Sequence, residues 1–300
     1  MADEPLLLEE TARRKLDQLT FVPSKVRSGA IKGERRSKKR GTSIEFADYR
    51  DYAPGDDLRR LDWNVYARLE RPYIKLLEDE EDLAVHLLLD ASASMDWPND
   101  GDINLNKGLY ARRLFAGLGY IGLSSNDRVM MAAANDQGVA YFGPSRGRGQ
   151  GLAMLRYAHT IKARGVTDLN VVLKDYAVRA SRPGMLFVIS DMFSPTGYMD
   201  GLNLLIGKGY EVTILHVLSP DELTPPLVGD LRLVDVETGK GQEVSLDSDM
   251  RALYMERVQA WRDDIRVECN RRGAKYLPLV TDMPWEKVIL YEMRRMNLVK

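Results

Sequence analysis

The stretch Leu83–Met95, Leu-Ala-Val-His-Leu-Leu-Leu-Asp-Ala-Ser-Ala-Ser-Met, constrains the fold more than any other part of the chain. Its apolar run does not alternate strictly, is too short for a helix buried on every face, and stops at a carboxylate. That combination suits a central strand of a parallel sheet covered on both sides. In open α/β sheets, ligands bind outside the carboxyl ends of the strands, where the strand order reverses. Asp90, Ser92 and Ser94 fall at such an end. All three present oxygen, one charged and two neutral, which is the donor type that hard divalent ions such as Mg2+ take. The plain alternative is structural: a serine caps the next helix and Asp90 closes a turn.

A second stretch repeats the pattern. Pro183-Gly184 introduces Met185–Ser190, another apolar strand, and it ends at Asp191. Between the two strands, Arg164-Gly165-Val166-Thr167-Asp168-Leu169-Asn170 opens a helix running to about Ala180. Taken alone, Thr167 reads as its N-cap, with Asp168 favourable in the first turn. Two buried strands that each stop at an aspartate, with a Thr-initiated helix between them, point to a shared site.

The remaining pattern is an alternation of strands and helices. Leu6, Leu7, Leu8, Ala12, Leu16 and Leu19 mark an amphipathic helix within residues 1–20. Helical spacing follows over 105–123, 152–164, 198–206, 249–272 and 284–296, the last with Pro284 at a first helical position. Strands are expected at 73–77, 127–134, 139–142, 211–218 and 275–280; the turn Asn135-Asp136-Gln137-Gly138 makes 127–142 an antiparallel hairpin. Residues 219–246 read as an inserted β-hairpin. The Gly-rich run 143–151 lacks the Gly-Lys-Ser/Thr of a phosphate-binding loop. The expected fold class is α/β: a central, mostly parallel sheet with helices on both faces, over residues 83–300, preceded by an extension over 1–82.

Composition excludes several classes. Of 300 residues, 44% are apolar and 29% charged, with a formal net charge of -1, so nucleic-acid binding through the whole surface is not expected. No apolar run reaches the ~18 residues of a membrane span, and Met-Ala-Asp-Glu-Pro is no signal peptide, so a cytoplasmic chain is expected. The single cysteine, Cys269, reads as a small core residue on a helix. Charge is uneven locally. Lys25, Arg27, Lys32, Arg35, Arg36, Lys38, Lys39 and Arg40 form a basic arm with Glu34 as its sole acid, and residues 78–82 form an acidic run. Between them, Ser43–Arg71 alternates Arg and Asp with aromatics around Pro54-Gly55, a compact ordered extension of interlocked ion pairs.

These residues resemble a known family. Asp90-x-Ser92-x-Ser94, then Thr167, then Asp191 is similar to the metal-ion-dependent adhesion site of von Willebrand factor type A domains, over roughly residues 83–300. Within that superfamily, Glu45-Phe46, Tyr52, Pro54-Gly55-Asp56-Asp57, Arg59, Asp62-Trp63 and Ala67-Arg68 resemble the signature of the bacterial family catalogued as domain of unknown function fifty-eight. The resemblance implies that the Asp90 and Asp191 strands are neighbours and that Asp90, Ser92, Ser94, Thr167 and Asp191 surround one Mg2+ or Mn2+. It implies Ser92 and Ser94 as direct ligands, Thr167 binding when the site closes, Asp191 holding a coordinating water, and Asp168 as an outer acid. It implies a partner that supplies a carboxylate to the ion, and an adaptor or chaperone-like role with a MoxR-type AAA+ ATPase as a partner. Many members carry an N-terminal membrane hairpin that this sequence lacks, which favours a soluble form.

The leading expectation is therefore a non-enzymatic, metal-dependent protein-interaction module with an adaptor or chaperone-like role. One alternative is a metal-dependent hydrolase or phosphotransferase acting through Asp90. It is weakened by Ser92, which stands where an aspartate-nucleophile enzyme places a second acid. His86, His159 and His216 fall within regular elements and supply no evident base. The other alternative is an anionic-surface or nucleic-acid binder working through the basic arm, which predicts steep salt dependence without metal.

Overall fold

A computed structural model of the chain describes residues 6–24, 46–77, 83–180, 182–226, 229–235, 239 and 241–300. The basic arm 25–40 and the acidic run 78–82 lie outside the described residues. The chain divides into two compact units, one of residues 1–25 with 83–300 and one of residues 26–82. The first helix, α1 (Glu10–Leu16), thus belongs to the larger unit, which moves the expected boundary at 82. The reason is apolar burial: Leu7, Leu8, Leu16, Leu19 and Phe21 join the core of that unit. Thr20 and Val22 also hydrogen-bond the chain end, at Lys300 and Leu298.

The smaller unit holds β1 (Phe46–Asp51), α2 (Trp63–Leu69) and β2 (Tyr73–Leu77), the two strands antiparallel. Only β2 was expected as a strand. One of the expected ion pairs is there, between Arg50 and Asp56. The Arg50 guanidinium donates to both Asp56 oxygens at 2.8 Å, and Ala53 N–H closes on the same carboxylate. Asp62 caps α2 by accepting from Asn64 and Val65 N–H, and takes the Tyr49 hydroxyl at 2.7 Å. Leu61 and Ile74 are buried beneath these groups.

In the larger unit, β3 (Ala84–Asp90) is followed by α3 (Lys107–Ser124), β4 (Arg128–Asn135), β5 (Gly138–Ser145), α4 (Gly151–Thr160) and α5 (Leu169–Arg179). Then come β6 (Met185–Ser190), α6 (Met199–Gly207), β7 (Glu211–Leu218), the short α7 (Pro220–Leu223), the hairpin β8 (Gly229–Val234) and β9 (Gly241–Leu246), α8 (Ser248–Arg271) and β10 (Lys275–Val280). The sheet order is β10-β7-β6-β3-β4-β5, parallel throughout except for the β4–β5 hairpin. Alternate residues of each strand feed two cores. Val85, Leu87, Leu89, Phe187 and Leu215 pack with α1, α3 and α4, whereas Leu88, Val188, Ile214 and Tyr276 pack with α5, α6 and α8. Burial on both faces explains why these strands read as continuous apolar runs.

Local differences have local causes. The helix expected over 152–164 stops at Thr160, and residues 161–168 run on as a brace beside β3. The helix expected from 105 begins at Lys107, because Asn106 caps it by accepting Leu109 N–H at 2.9 Å. Pro284 precedes the C-terminal helical run rather than opening it. The short α7 was not expected; a Ser219–Glu222 capping box forms it. Among the described residues, no helix is long and apolar enough to cross a membrane.

Candidate functional site

The sheet order places a reversal at β3. The chain proceeds from β3 outward to β4 and β5, then returns to lay β6 on the other side of β3. Departing in opposite directions, the two connections leave a crevice at the carboxyl ends of β3 and β6. Asp90 is the last residue of β3, and Asp191 directly follows β6.

Asp90 is 2% exposed. Its Oδ1 accepts the Ser92 N–H at 3.0 Å, and its Oδ2 accepts the Ser190 hydroxyl at 2.7 Å. Burial, and then the charge of Asp191, push its pKa up to about 7. Hydrogen bonds from Ser190 and Ser92 act in the opposite direction without overcoming them. The Ser92 hydroxyl, wholly buried, lies 3.0 Å from that of Ser94. Neither the turn Ala93–Met95 nor α3 takes its cap from Ser92, so the structural alternative for this serine does not describe the chain.

Thr167 reaches the same strand end. It is buried, and its hydroxyl donates to the Ala134 carbonyl, which also accepts Ala91 N–H and pairs opposite Asp90 in the β3–β4 register. It does not cap α5. Asp168 does, accepting Val171 N–H at 3.1 Å, and both its oxygens take the Thr196 hydroxyl. Asp168 is thereby a helix cap tied to a neighbouring loop. Gly165 brings the brace in: its carbonyl accepts Ala93 N–H, its φ is +60°, and a Cβ there would sit 2.2 Å from Asp136 Cβ. Only glycine satisfies both conditions.

Asp191 is wholly buried, and the next residue, Met192, takes a left-handed φ of 62° to turn the chain sharply after β6. Its Oδ1 accepts Phe193 N–H at 3.1 Å and its Oδ2 accepts Lys107 Nζ at 2.8 Å. The His216 ring fixes its backbone. Because a carbonyl can only accept, Nε2 donates to Asp191 O at 3.0 Å, and Nδ1 accepts the Tyr276 hydroxyl at 2.6 Å. Burial pulls the His216 pKa down to about 3, which leaves the ring neutral.

Lys107, Glu222 and Ser190 were missed from sequence. Lys107 has no exposed surface; its ammonium bridges Asp191 and Glu222 Oε1, the latter at 2.6 Å. Burial alone lowers its pKa, but the two carboxylates outweigh burial and hold it above the ordinary lysine value. A lysine at the first position of a helix, where the helix dipole disfavours a cation, was the available signal. Two carboxylates thus face one ammonium, and among the described residues no basic side chain bonds Asp90. No three His, Cys, Asp or Glu side chains converge as metal ligands among the described residues, so a cation here depends on the hydroxyls. A cavity of about 260 Å3 opens beside Asp90, lined also by Met95, Asp96, Asn106, Arg112 and Lys162.

Residues 48–264 match the family described as Protein of unknown function DUF58. The chain belongs to that family. The DUF58 match runs from the smaller unit through β3–β9 and into α8, ending before β10. Uncharacterized proteins of Mycobacterium bovis and Mycobacterium tuberculosis are 30% identical over 283 residues, covering 93% of this chain and 84% of their own length. Among solved structures, an aerotolerance-related membrane protein from Bacteroides fragilis is similar at a TM-score of 0.44 and 18% identity, covering 71% of this chain and 100% of its own. The conserved hypothetical protein BatB from Bacteroides thetaiotaomicron gives a TM-score of 0.44 at 15% identity, over 71% of this chain and 98% of its own.

Proposed function

We propose that this DUF58 chain is a non-enzymatic, metal-dependent protein-interaction module of the von Willebrand factor A type. Asp90, Ser92 and Ser94 hold a Mg2+ or Mn2+ ion, with Thr167 and Asp191 completing the site. The single observation that carries this reading is Asp90, a buried carboxyl at the topological switch point, bonded to neutral donors and pushed up to about 7 by burial and a second carboxylate. Such a group gains by a nearby cation, and the hydroxyls of Ser92 and Ser94 beside it are the neutral oxygen donors a hard ion accepts. When bound, the ion supplies an electrophilic clasp for a partner's carboxylate.

The chain's own residues do the positioning. Ser190 and the Ser92 N–H orient Asp90, the Ala134 carbonyl pins Thr167, and the Phe193 N–H holds Asp191. Support for a non-enzymatic role comes from the histidines nearest the strands: both ring nitrogens of His86 and of His216 are engaged, with Tyr176, Arg182 O, Tyr276 and Asp191 O. The one thiol, Cys269, is buried and pushed up to about 11. The partner we propose is a MoxR-type AAA+ ATPase.

Calorimetric titration of Mg2+ into wild type and Asp90→Ala tests the reading. Saturable heat from wild type and none from the variant is expected. Equal heats, or none from either at roughly millimolar metal, reject the ligand set. Capture of a MoxR-type ATPase that survives chelator rejects the clasp.

A further inference from the structure

Lys107 is a fixed charge inside the crevice. Its Nζ lies 2.8 Å from Asp191 Oδ2, 2.6 Å from Glu222 Oε1 and 5.5 Å from the centre of the Phe193 ring, with no exposed surface. Glu222 is held independently of it, since Oε2 accepts the N–H and hydroxyl of Ser219, and the Tyr254 hydroxyl bonds its carbonyl. The ammonium therefore keeps one carboxylate partner whatever Asp191 does. Asp90 is treated differently: its bonded partners are the neutral Ser92 and Ser190. Of the two strand-end aspartates, one is neutralised by a resident cation and the other is not.

We propose that Lys107 is an internal cation that occupies Asp191 and so limits how tightly the site holds a divalent ion. The inference rests on the cation reading of Asp90, Ser92 and Ser94 given above. Its basis is competition for one negative charge. A divalent ion drawing on Asp191 is repelled by an ammonium one hydrogen bond away, and gains from that carboxylate only what Lys107 gives up. The ion is then anchored through Asp90 and the two serines, is exchangeable, and owes a large share of its hold to the carboxylate a partner brings. Lys107 is a positioning residue in this scheme, acting on the ion through Asp191, with Glu222 as the ammonium's second support.

The test is calorimetric titration of MgCl2, and separately MnCl2, into the full chain as wild type, Lys107→Met and Glu222→Gln. Lys107→Met is expected to bind about tenfold more tightly, the effect of removing one like charge. Glu222→Gln leaves the ammonium to Asp191 alone and is expected to bind several-fold more weakly. Opposite shifts from two variants of one ion pair are not what general loosening produces. A folded Lys107→Met with unchanged or weaker affinity overturns this inference and leaves the cation reading standing. Absence of metal binding by wild type and both variants overturns the cation reading and the inference with it. Should Lys107→Met fail to fold, Glu222→Gln decides, and affinity equal to or tighter than wild type overturns the proposal.

Discussion

Asp90 and His216, the latter bonded to the backbone of Asp191, carry opposite proton linkages. The folded chain raises the Asp90 carboxyl to about 7, so folding favours its protonated form and adds stability as pH falls from there toward the unfolded carboxylate range. It lowers the His216 pKa to about 3, so the unfolded chain binds that proton first and stability is lost as pH falls below about 6.5. Between about pH 4 and 6.5 the two slopes oppose each other. Asp90→Asn removes one of them. Urea unfolding of the two proteins across that window is expected to show the variant losing about 1.4 kcal/mol per pH unit relative to wild type on acidification; parallel profiles contradict the assignment. On the metal reading proposed above, the ion displaces a proton from this carboxyl below about 7, so Mg2+ affinity is expected to fall about tenfold per pH unit on acidification and to flatten above about 7.

At the scale of elements, the site is assembled by two brackets rather than by the strands alone. One is the brace 161–168, which joins the segment just after β3 through Arg164 N–H to Ala91 O and Ala93 N–H to Gly165 O, both 2.8 Å. Gly165→Ala brings a Cβ against Asp136 at a left-handed φ and displaces Thr167 with the brace. A stability loss of roughly 1–3 kcal/mol in urea is expected, with weaker Mg2+ binding. Wild-type stability and affinity in this variant remove Gly165 from the account. The other bracket is α7, whose capping box presents Glu222 to Lys107.

For the whole molecule, the two cores close without any ion, since the apolar residues of β3, β6, β7 and β10 pack against helices on both faces. Chelator is expected to leave the far-ultraviolet circular dichroism unchanged. Saturating Mg2+ acts only by mass action, adding about 2.7 kcal/mol at a hundred times its Kd, seen as a rise in melting temperature that Asp90→Ala lacks. Collapse of the helical signal on chelation contradicts this and makes the ion structural.

What the sequence by itself determined is what depends on near neighbours. Apolar runs that stop at Asp90 and Asp191, the four-residue turn after Asn135 and the alternation of strands with helices are read within a few residues, because periodicity and turn chemistry are local. Even there, Thr167 was expected to cap α5, and the backbone path gives that place to Asp168 and leaves Thr167 for the strand end. The tertiary structure alone decided the charge arrangement. Lys107 meets Asp191 across 84 residues and Glu222 across 115, and Ser190 meets Asp90 across 100. No pattern within α3 says which carboxylate its first residue will face; that follows from the order in which the sheet lays β6 beside β3 and β7 beyond it, and the sheet sets that order by burying both faces at once.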